Sequence, residues 1–251
     1  MPRGKSSADY LLIDISNSFA KLAFASIERV ERSSRIPTRE LSRAAIEELL
    51  EKRATNAVVV SSVVPAKNAT IRRAAGKRRT LFIDTNSKLG VGVDYPKPET
   101  IGADRLANAA AVAQLYGSPA IVVDFGTAVT FDVVSARGDY IGGVIAPGLE
   151  SMTSFLYQRT ALLPKLTLRE PRNTIGRTTR AAMMSGAVYG YRGLVREIIA
   201  RIRMEAFPKR KVQVVATGGY AELIAHQLPE IGAVHAGLTL EGLRLIGNLN
   251  L

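Results

Sequence analysis

Two segments of the chain place an aspartate at the end of an apolar run and follow it with small polar residues. Asp14 precedes the tripeptide Ser-Asn-Ser at 16–18, and Asp124 precedes Gly126 and Thr127. Carboxylates hold metal ions, whereas hydroxyls and backbone N–H groups at tight turns bind phosphate oxygens. Transfer of the γ-phosphoryl group of ATP requires these groups, because charge in its transition state must be neutralised and positioned. The two segments therefore predict a nucleotide site.

Other residues restrict the kinds of binding and catalytic site that the chain can form. A third turn, Thr217-Gly218-Gly219, is a candidate for contact with the adenine or ribose. The P-loop pattern GxxxxGK[ST] does not occur in the sequence, so that route to phosphate binding is excluded. The chain has no cysteine, which excludes disulfides, zinc–thiolate sites and thiol nucleophiles. Its two histidines, His226 and His235, are isolated in the sequence, and we assign neither of them any chemistry.

The two aspartate segments share a strand–turn–strand pattern. Residues 10–25 and 119–134 each contain a β-branched apolar run that ends in aspartate, a short polar turn and a second apolar run. Two similar hairpins about 110 residues apart indicate an internal duplication. We therefore predict two α/β lobes, residues 1–118 and 119–251.

The remaining periodic segments supply the other helices and strands. Apolar spacing predicts helices over 41–54, 104–116, 177–205 and 239–247. The third of these helices is expected to be interrupted near Gly186, Gly190 and Gly193. Short apolar runs predict strands over 57–65, 81–84, 140–148 and 212–219.

Several motifs resemble a known family. The segment IDISNSFAK (13–21) resembles the DxGNTxxK phosphate motif of the superfamily of acetate kinases, sugar kinases, heat-shock proteins and actin. Further blocks resemble one branch, the type III pantothenate kinases. They are SSVVP (61–65), IGADR (101–105), DFGTAVTFDVV (124–134), GGVIAPG (142–148), RTALLP (159–164), IGRTTRAAMMSG (175–186) and ATGGYAELI (216–224). The resemblance implies a duplicated actin-like (ribonuclease H-like) two-lobe α/β fold with a nucleotide cleft between the lobes.

The resemblance assigns the first aspartate segment to ATP. The ATP-binding residues that it implies are Asp14, Ile15, Ser16, Asn17, Ser18, Phe19, Ala20, Lys21 and Thr127. From its place at the end of the first apolar run, Asp14 is also expected to hold Mg²⁺ through water. Asp124 is implied to hold a monovalent cation, K⁺ or NH₄⁺.

The IGADR block is assigned by the resemblance to pantothenate. The implied substrate-binding residues are Tyr95, Gly102, Ala103, Asp104, Arg105 and Thr179. Asp104 is implied as the general base on the pantothenate hydroxyl. Arg105 is implied to pair with the pantothenate carboxylate, which a guanidinium meets with two parallel hydrogen bonds. Simpler interpretations stay open, because Asp104 or Thr179 is also a candidate helix N-cap and Tyr95 a candidate for loop packing.

Together these roles imply ATP-dependent phosphorylation of pantothenate to 4′-phosphopantothenate, the first step of coenzyme A biosynthesis, by a homodimer. The sequence departs from the family pattern at three positions. Ser16 stands where the family has glycine, and Thr178 where it has asparagine, whereas Ser18 keeps the hydroxyl of the usual threonine. Ser16 adds a side chain near the phosphates, which either crowds ATP or donates to it.

Charge and hydropathy bear on partners and location. The net charge is +12, but the basic residues are scattered and no aromatic residues interleave them, so we expect a solvated surface and no nucleic-acid face. The first apolar run ends at Asp14, too short for a signal peptide, and no run reaches the roughly 18 apolar residues of a membrane helix. We expect a cytoplasmic protein.

Two other functions stay open. One is a kinase of the same superfamily that acts on a different small alcohol, which the complete GADR motif disfavours. The other is a non-catalytic regulatory or nucleic-acid-binding relative, which the net charge and Ser16 favour slightly.

Overall fold

The computed structural model describes residues 7–251, and the first six residues of the predicted first lobe lie outside this range. The contacts divide the chain into two compact units. The first unit extends to Leu115 and also includes Gly237–Leu251, and the second unit is Tyr116–Ala236. The predicted lobe boundary at 118 lies near the observed boundary between Leu115 and Tyr116. The last helix, however, belongs to the first unit, whereas the prediction placed it in the second lobe.

The first unit contains a sheet whose opening strands form the first predicted hairpin. Its elements are β1 (Ser7–Ile15), β2 (Phe19–Ala25), β3 (Ser34–Pro37), α1 (Arg43–Lys52), β4 (Ala54–Ser62), α2 (Pro65–Ala75), β5 (Arg79–Phe82), the short β6 (Gly92–Val93) and α3 (Ala103–Tyr116). The strand order is β3-β2-β1-β4-β5. β1 runs antiparallel to β2 and parallel to β4, and β5 continues the parallel side.

The second unit repeats this arrangement. Its elements are β7 (Ala120–Phe125), β8 (Ala128–Val134), β9 (Asp139–Pro147), α4 (Leu149–Arg159), α5 (Thr179–Ala206), β10 (Gln213–Gly218), α6 (Ala221–Ala225) and β11 (Ala233–Val234), and the chain closes with α7 (Leu238–Asn250). Within this unit the order is β9-β8-β7-β10-β11, with β7 antiparallel to β8 and parallel to β10. The matching strand orders and directions confirm the predicted duplicated, actin-like α/β fold.

Each face of the first sheet buries a separate apolar cluster. Leu11 and Ile13 point to the face covered by α1 and α2, where Ile46 and Ile71 are fully buried. Leu12 points to the opposite face, which packs against α3 and α7. Because α7 completes this second cluster, it is part of the first unit, which explains why an even division of the sequence misplaced it.

In the second unit, α5 and α6 pack against one face of the sheet. Val123 and Phe125 of β7 contribute to that cluster, so the intervening Asp124 points to the opposite face. α5 is a continuous helix of 28 residues, and the predicted interruption at its glycines is wrong. Buried residues such as Val188 and Val195 recur along one side of α5, and their packing offsets the roughly 1 kcal/mol that each interior glycine costs. Among residues 7–251, no helix is long and apolar enough to cross a membrane.

The helices α2 and α4 and the strand β3 are among the elements that were not predicted, because their sequence signals are weak. Pro65 does not end a strand but occupies the first turn of α2, a position that proline tolerates well. Strand β4 ends earlier, at Ser62. The short edge strand β3 and the helix α4 lack strong periodicity, and tertiary packing determines both.

We expect Gly242→Ala to destabilise the fold, because a Cβ at this position of α7 would overlap the carbonyl group of Ala107. The expected cost is about 1–3 kcal/mol. Gly193→Ala is the matched control, since a Cβ at this exposed position of α5 meets no atom within 4 Å and is expected to be neutral or to stabilise by up to about 1 kcal/mol. Urea unfolding midpoints measure both effects, and a Gly242→Ala midpoint equal to that of the wild type would contradict the packing described.

Candidate functional site

Asp14 lies where β1 reaches the carboxyl edge of the first sheet. Its side chain is only 7% exposed. In the register of the sheet, Asp14 is opposite Lys21 on β2 and Ser61 on β4. Residues paired in register present their side chains on the same face, so the carboxylate lies between an ammonium-bearing residue and a hydroxyl.

The turn after Asp14 is closed by Ser16. Its N–H and its hydroxyl both donate to the carbonyl oxygen of Phe19, at 3.0 and 2.8 Å. Asn17 and Ser18 are exposed at the tip of the turn. The hydroxyl that replaces the family glycine therefore stabilises the turn itself and leaves the tip to Asn17 and Ser18.

Thr38 holds the same turn from a neighbouring segment. Its hydroxyl donates to the carbonyl oxygen of Ser16 at 2.7 Å, and its N–H donates to that of Ser18 at 3.0 Å. The side chain is 5% exposed. Thr38 was not predicted because it bonds to a residue 22 positions away in the sequence, and no local motif signals such a contact.

The other residues of the predicted ATP segment lie on different faces of the sheet. Ile15 and Ala20 are buried in the apolar cluster on the other face, so only their backbone can meet a ligand. The ring of Phe19 lies 3.9 Å from the guanidinium carbon of Arg35. Arg35 also pairs in register with Lys21, which places two cationic residues beside the turn. Arg35 is a second candidate that sequence analysis missed.

The IGADR block forms the start of α3. The carbonyl oxygen of Gly102 accepts from the N–H groups of Arg105 and Leu106, at 3.0 and 3.2 Å, so Gly102 occupies the N-cap position. Asp104 lies in the first turn, and its Oδ1 accepts from the N–H of Arg105 at 2.9 Å. Asp104 is therefore not the N-cap, and a carboxylate in this turn is favoured by the helix dipole.

Gly102 also leaves room for the Asp104 carboxylate. A Cβ at Gly102 would lie 2.5 Å from Oδ1 of Asp104 and 3.5 Å from Cγ1 of Val63. The N–H of Val63 donates to the carbonyl oxygen of Ile15 at 3.0 Å. Val63 thus bonds to the strand that carries Asp14 and lies close to Gly102 of the block that carries Asp104, so the two blocks approach each other at Val63 within the first unit. This contact gives the SSVVP motif a structural role.

The second aspartate segment has its own support within the second unit. The turn after Asp124 is closed by the N–H of Gly126, which donates to the carbonyl oxygen of Ala128 at 3.0 Å. The carbonyl oxygen of Thr127 accepts from the N–H of Gly148 at 3.0 Å and from the hydroxyl of Ser151 at 2.8 Å. The GGVIAPG block therefore leads into the start of α4 and fixes the Thr127 turn.

Two further substrate residues were predicted outside these blocks. Tyr95 is half-buried between β6 and α3 in the first unit, and Thr179 is the exposed first residue of α5 in the second unit. The N-cap of α5 is Thr178, whose side chain accepts from the N–H of Ala181 at 3.2 Å. Thr178, which stands where the family has asparagine, is thus a good capping residue. The interpretation of Thr179 as the N-cap is wrong.

A buried arginine anchors the segment that leads to Thr179. Arg192 of α5 donates to both carboxylate oxygens of Glu170, at 2.9 and 2.6 Å, and to the carbonyl oxygen of Leu223 at 2.7 Å. The hydrogen bond from Arg192 lowers the pKa of Glu170. The hydroxyl of Ser185 donates to the carbonyl oxygen of Thr174. Residues 170–178 are therefore fixed to α5 before the helix begins.

Each of the two predicted metal sites contributes one carboxylate, from Asp14 or from Asp124. Within residues 7–251, no group of three His, Asp or Glu side chains is placed to hold a metal ion. Asp14 and Asp124 each face a register partner with a fully buried hydroxyl, Ser61 and Thr217, and neither hydroxyl has a hydrogen-bond partner among the described residues. Buried hydroxyls of this kind fit sites that water or an ion completes.

We expect Thr38→Val to loosen the Ser16 turn, because the bond from the threonine hydroxyl to the carbonyl oxygen of Ser16 is lost. Local opening should become about fivefold more frequent, equivalent to about 1 kcal/mol. Hydrogen exchange at the amides of Ser16 and Phe19 measures this opening. Thr38→Ser keeps the hydroxyl and should retain wild-type protection, so equal loosening in both variants would contradict the role of this hydrogen bond.

Comparison with solved structures and curated sequences agrees with this geometry. A Campylobacter jejuni protein whose structure is described as that of a Baf family transcriptional activator superposes with a TM-score of 0.59 at 18% identity, over 95% of this chain and 97% of that one. This likeness supports the fold alone. Relatives named type III pantothenate kinase occur in Akkermansia muciniphila and Methylacidiphilum infernorum. The first is 50% identical over 96% of this chain and 99% of the relative, and the second is 42% identical over 95% of this chain and 88% of the relative.

The family-wide sequence pattern described as type III pantothenate kinase matches residues 10–201. This range contains the Asp14 turn, the Asp104 block and the Asp124 turn. The chain belongs to the type III pantothenate kinase family.

Proposed function

We propose that this protein transfers the γ-phosphoryl group of ATP to the primary hydroxyl of pantothenate, giving 4′-phosphopantothenate and ADP in the first step of coenzyme A biosynthesis. The observation that carries the proposal is that Asp104 lies in the first turn of α3 next to Gly102. Gly102 in turn lies close to Val63, which bonds to the strand of Asp14. The names of the relatives support the choice of acceptor. The alternative of a non-catalytic regulatory relative is not favoured.

The Asp14 turn is the proposed phosphate contact. Asn17 and Ser18 are exposed at its tip, and the cationic residues Lys21 and Arg35 lie beside it. Thr127 is proposed as a further ATP contact. Asp14 would hold Mg²⁺ through water, and Mg²⁺ when bound neutralises charge on the phosphate oxygens. Asp124 would hold a monovalent cation.

Asp104 is the proposed general base. As the pantothenate oxygen forms its bond to the γ-phosphorus, the bond from that phosphorus to the bridging oxygen of ADP breaks, and Asp104 accepts the hydroxyl proton. The bond from the N–H of Arg105 to Oδ1 fixes the carboxylate for this task. The guanidinium of Arg105 would pair with the pantothenate carboxylate, with Tyr95, Ala103 and Thr179 as further proposed contacts.

We expect Asp104→Asn to lower kcat for pantothenate-dependent ADP release at least about 100-fold, because the amide cannot accept the proton. The assay contains ATP, pantothenate, Mg²⁺ and K⁺. Glu205→Gln, which neutralises an exposed carboxylate near the end of α5, is the control and should keep wild-type turnover. Turnover that survives in Asp104→Asn would move the base to another residue.

A homodimer is proposed on the resemblance and on an apolar groove in the second unit. The groove lies between α4 and α5, has a volume of about 710 Å³ and is lined mainly by apolar side chains. Its lining includes Pro147, Leu149, Met152, Phe155, Met183 and Tyr191. Phe155 is 58% exposed, and its neighbours Leu156 and Tyr157 are also exposed. Apolar surface of this kind is typical of an interface, and we assign it to a second copy of the chain.

We expect Phe155→Glu to convert the dimer to a monomer, because a charge would be buried in the apolar interface. Met204→Glu is the matched control, since Met204 is 65% exposed on α5 and does not line the groove. Light scattering at assay concentration measures the mass of each variant. A Phe155→Glu protein that stays dimeric, or a wild-type monomer, would contradict the interface.

The proposed substrates also fit the proposed location. ATP and a small water-soluble acid are both available in the cytoplasm, and we place the protein there.

A further inference from the structure

The two units carry corresponding rows of side chains across their sheets, at the level of the two aspartates. The first row, in strand order from β3 to β4, is Arg35, Lys21, Asp14 and Ser61. The second row, from β9 to β10, is Ile145, Thr130, Asp124 and Thr217. Both rows occupy the same positions of the repeated strand order, and the side chains of each row share one face of the sheet.

The rows differ in charge. The first row contains two cationic residues and one carboxylate, whereas the second contains one carboxylate and no cationic residue. Thr130 occupies the position that Lys21 occupies in the first row. Asp132, fully buried on the same face, adds a second carboxylate, and the Thr130 hydroxyl donates to its Oδ2 at 3.4 Å. The second row is therefore negative where the first is positive.

Thr217 is the other unusual member of the second row. Its side chain is 0% exposed, and its hydroxyl has no hydrogen-bond partner among the described residues. An unpaired buried hydroxyl is unfavourable and indicates that water or an ion completes its bonding. The register pairs Thr217 with Asp124 on the neighbouring strand, so the two side chains lie on the same face of the sheet.

The geometry points to Thr217 and Thr130 as hydroxyl ligands that hold a monovalent cation together with Asp124. The inference rests on the proposed function, which assigns such a cation to Asp124. K⁺ is bound in proteins by oxygen dipoles that replace its hydration shell. Because Thr130 donates its proton to Asp132, its lone pairs are directed elsewhere and can meet a cation.

On this inference, only the row of Asp124 needs a bound monovalent cation. In the first row, the ammonium of Lys21 provides a fixed positive charge beside Asp14. In the second row, a bound ion provides the same charge at the position of Thr130. The cation is thus the counterpart of Lys21 in the second unit.

The test follows thermal unfolding as KCl replaces tetramethylammonium chloride at constant ionic strength, with ADP present throughout. A ligand that binds the folded state raises the unfolding temperature, so the wild type should be stabilised as K⁺ rises. Thr217→Val should move the K⁺ midpoint at least about tenfold higher, whereas Thr217→Ser should keep it. Ser61→Ala is the matched control, because it removes the equivalent buried hydroxyl of the first row, and its K⁺ midpoint should equal that of the wild type.

A second variant keeps the test decisive if Thr217→Val does not fold. Thr130→Lys copies the first row and should make the unfolding temperature independent of K⁺. An unchanged midpoint in Thr217→Val, a wild-type K⁺ response in Thr130→Lys, or a shift in Ser61→Ala as large as that in Thr217→Val would each overturn the inference. If the wild-type protein phosphorylates pantothenate but its unfolding temperature does not rise with K⁺, the cation site alone is overturned. If its unfolding temperature rises with K⁺ but pantothenate is not phosphorylated, the proposed function alone is overturned.

Discussion

The register between the first strand of each sheet and its parallel neighbour determines where the functional groups lie. Pairing of Asp14 with Ser61, and of Asp124 with Thr217, places each carboxylate at the edge where the strands end. A slip of one residue would turn Asp14 into the cluster of Leu11 and Ile13 and expose apolar side chains at the site. The apolar clusters on both faces therefore fix the chemistry as firmly as they fix the fold.

Contacts between residues distant in sequence position the turns that follow these strand ends. Val63 connects the strand of Asp14 with the block of Asp104, and Thr38 holds the turn that Ser16 closes. The Ser16 substitution then has a physical explanation, because its hydroxyl bonds within the turn. In the second unit, the start of α4 supports the Thr127 turn in a comparable way. Each unit thus uses a different neighbour to fix the same kind of turn.

Much of this could be predicted from the sequence, because the two hairpins and the longer helices have strong local patterns. The position of α7 could not, since its apolar pattern does not indicate which sheet it covers. Leu240, Leu243 and Ile246 are buried in one cluster with residues of β1, β4 and α3. Thr38, Val63 and Arg192 could not be found either, because each acts through residues distant in sequence. Thr178 was noted only as a departure, and its capping bond depends on where α5 begins.

Duplication also explains how one scaffold produces two unlike sites. Lys21 in the first unit and Thr130 in the second occupy equivalent positions, and in the proposed cation site this exchange replaces a fixed charge with a bound ion. The proposed reaction depends on both. Identification of the product by phosphorus NMR, after incubation with ATP, pantothenate, Mg²⁺ and K⁺, tests that reaction most directly. A phosphomonoester on the primary hydroxyl of pantothenate, formed in equal amount to ADP, is the predicted result. Release of inorganic phosphate without phosphorylated pantothenate would contradict it.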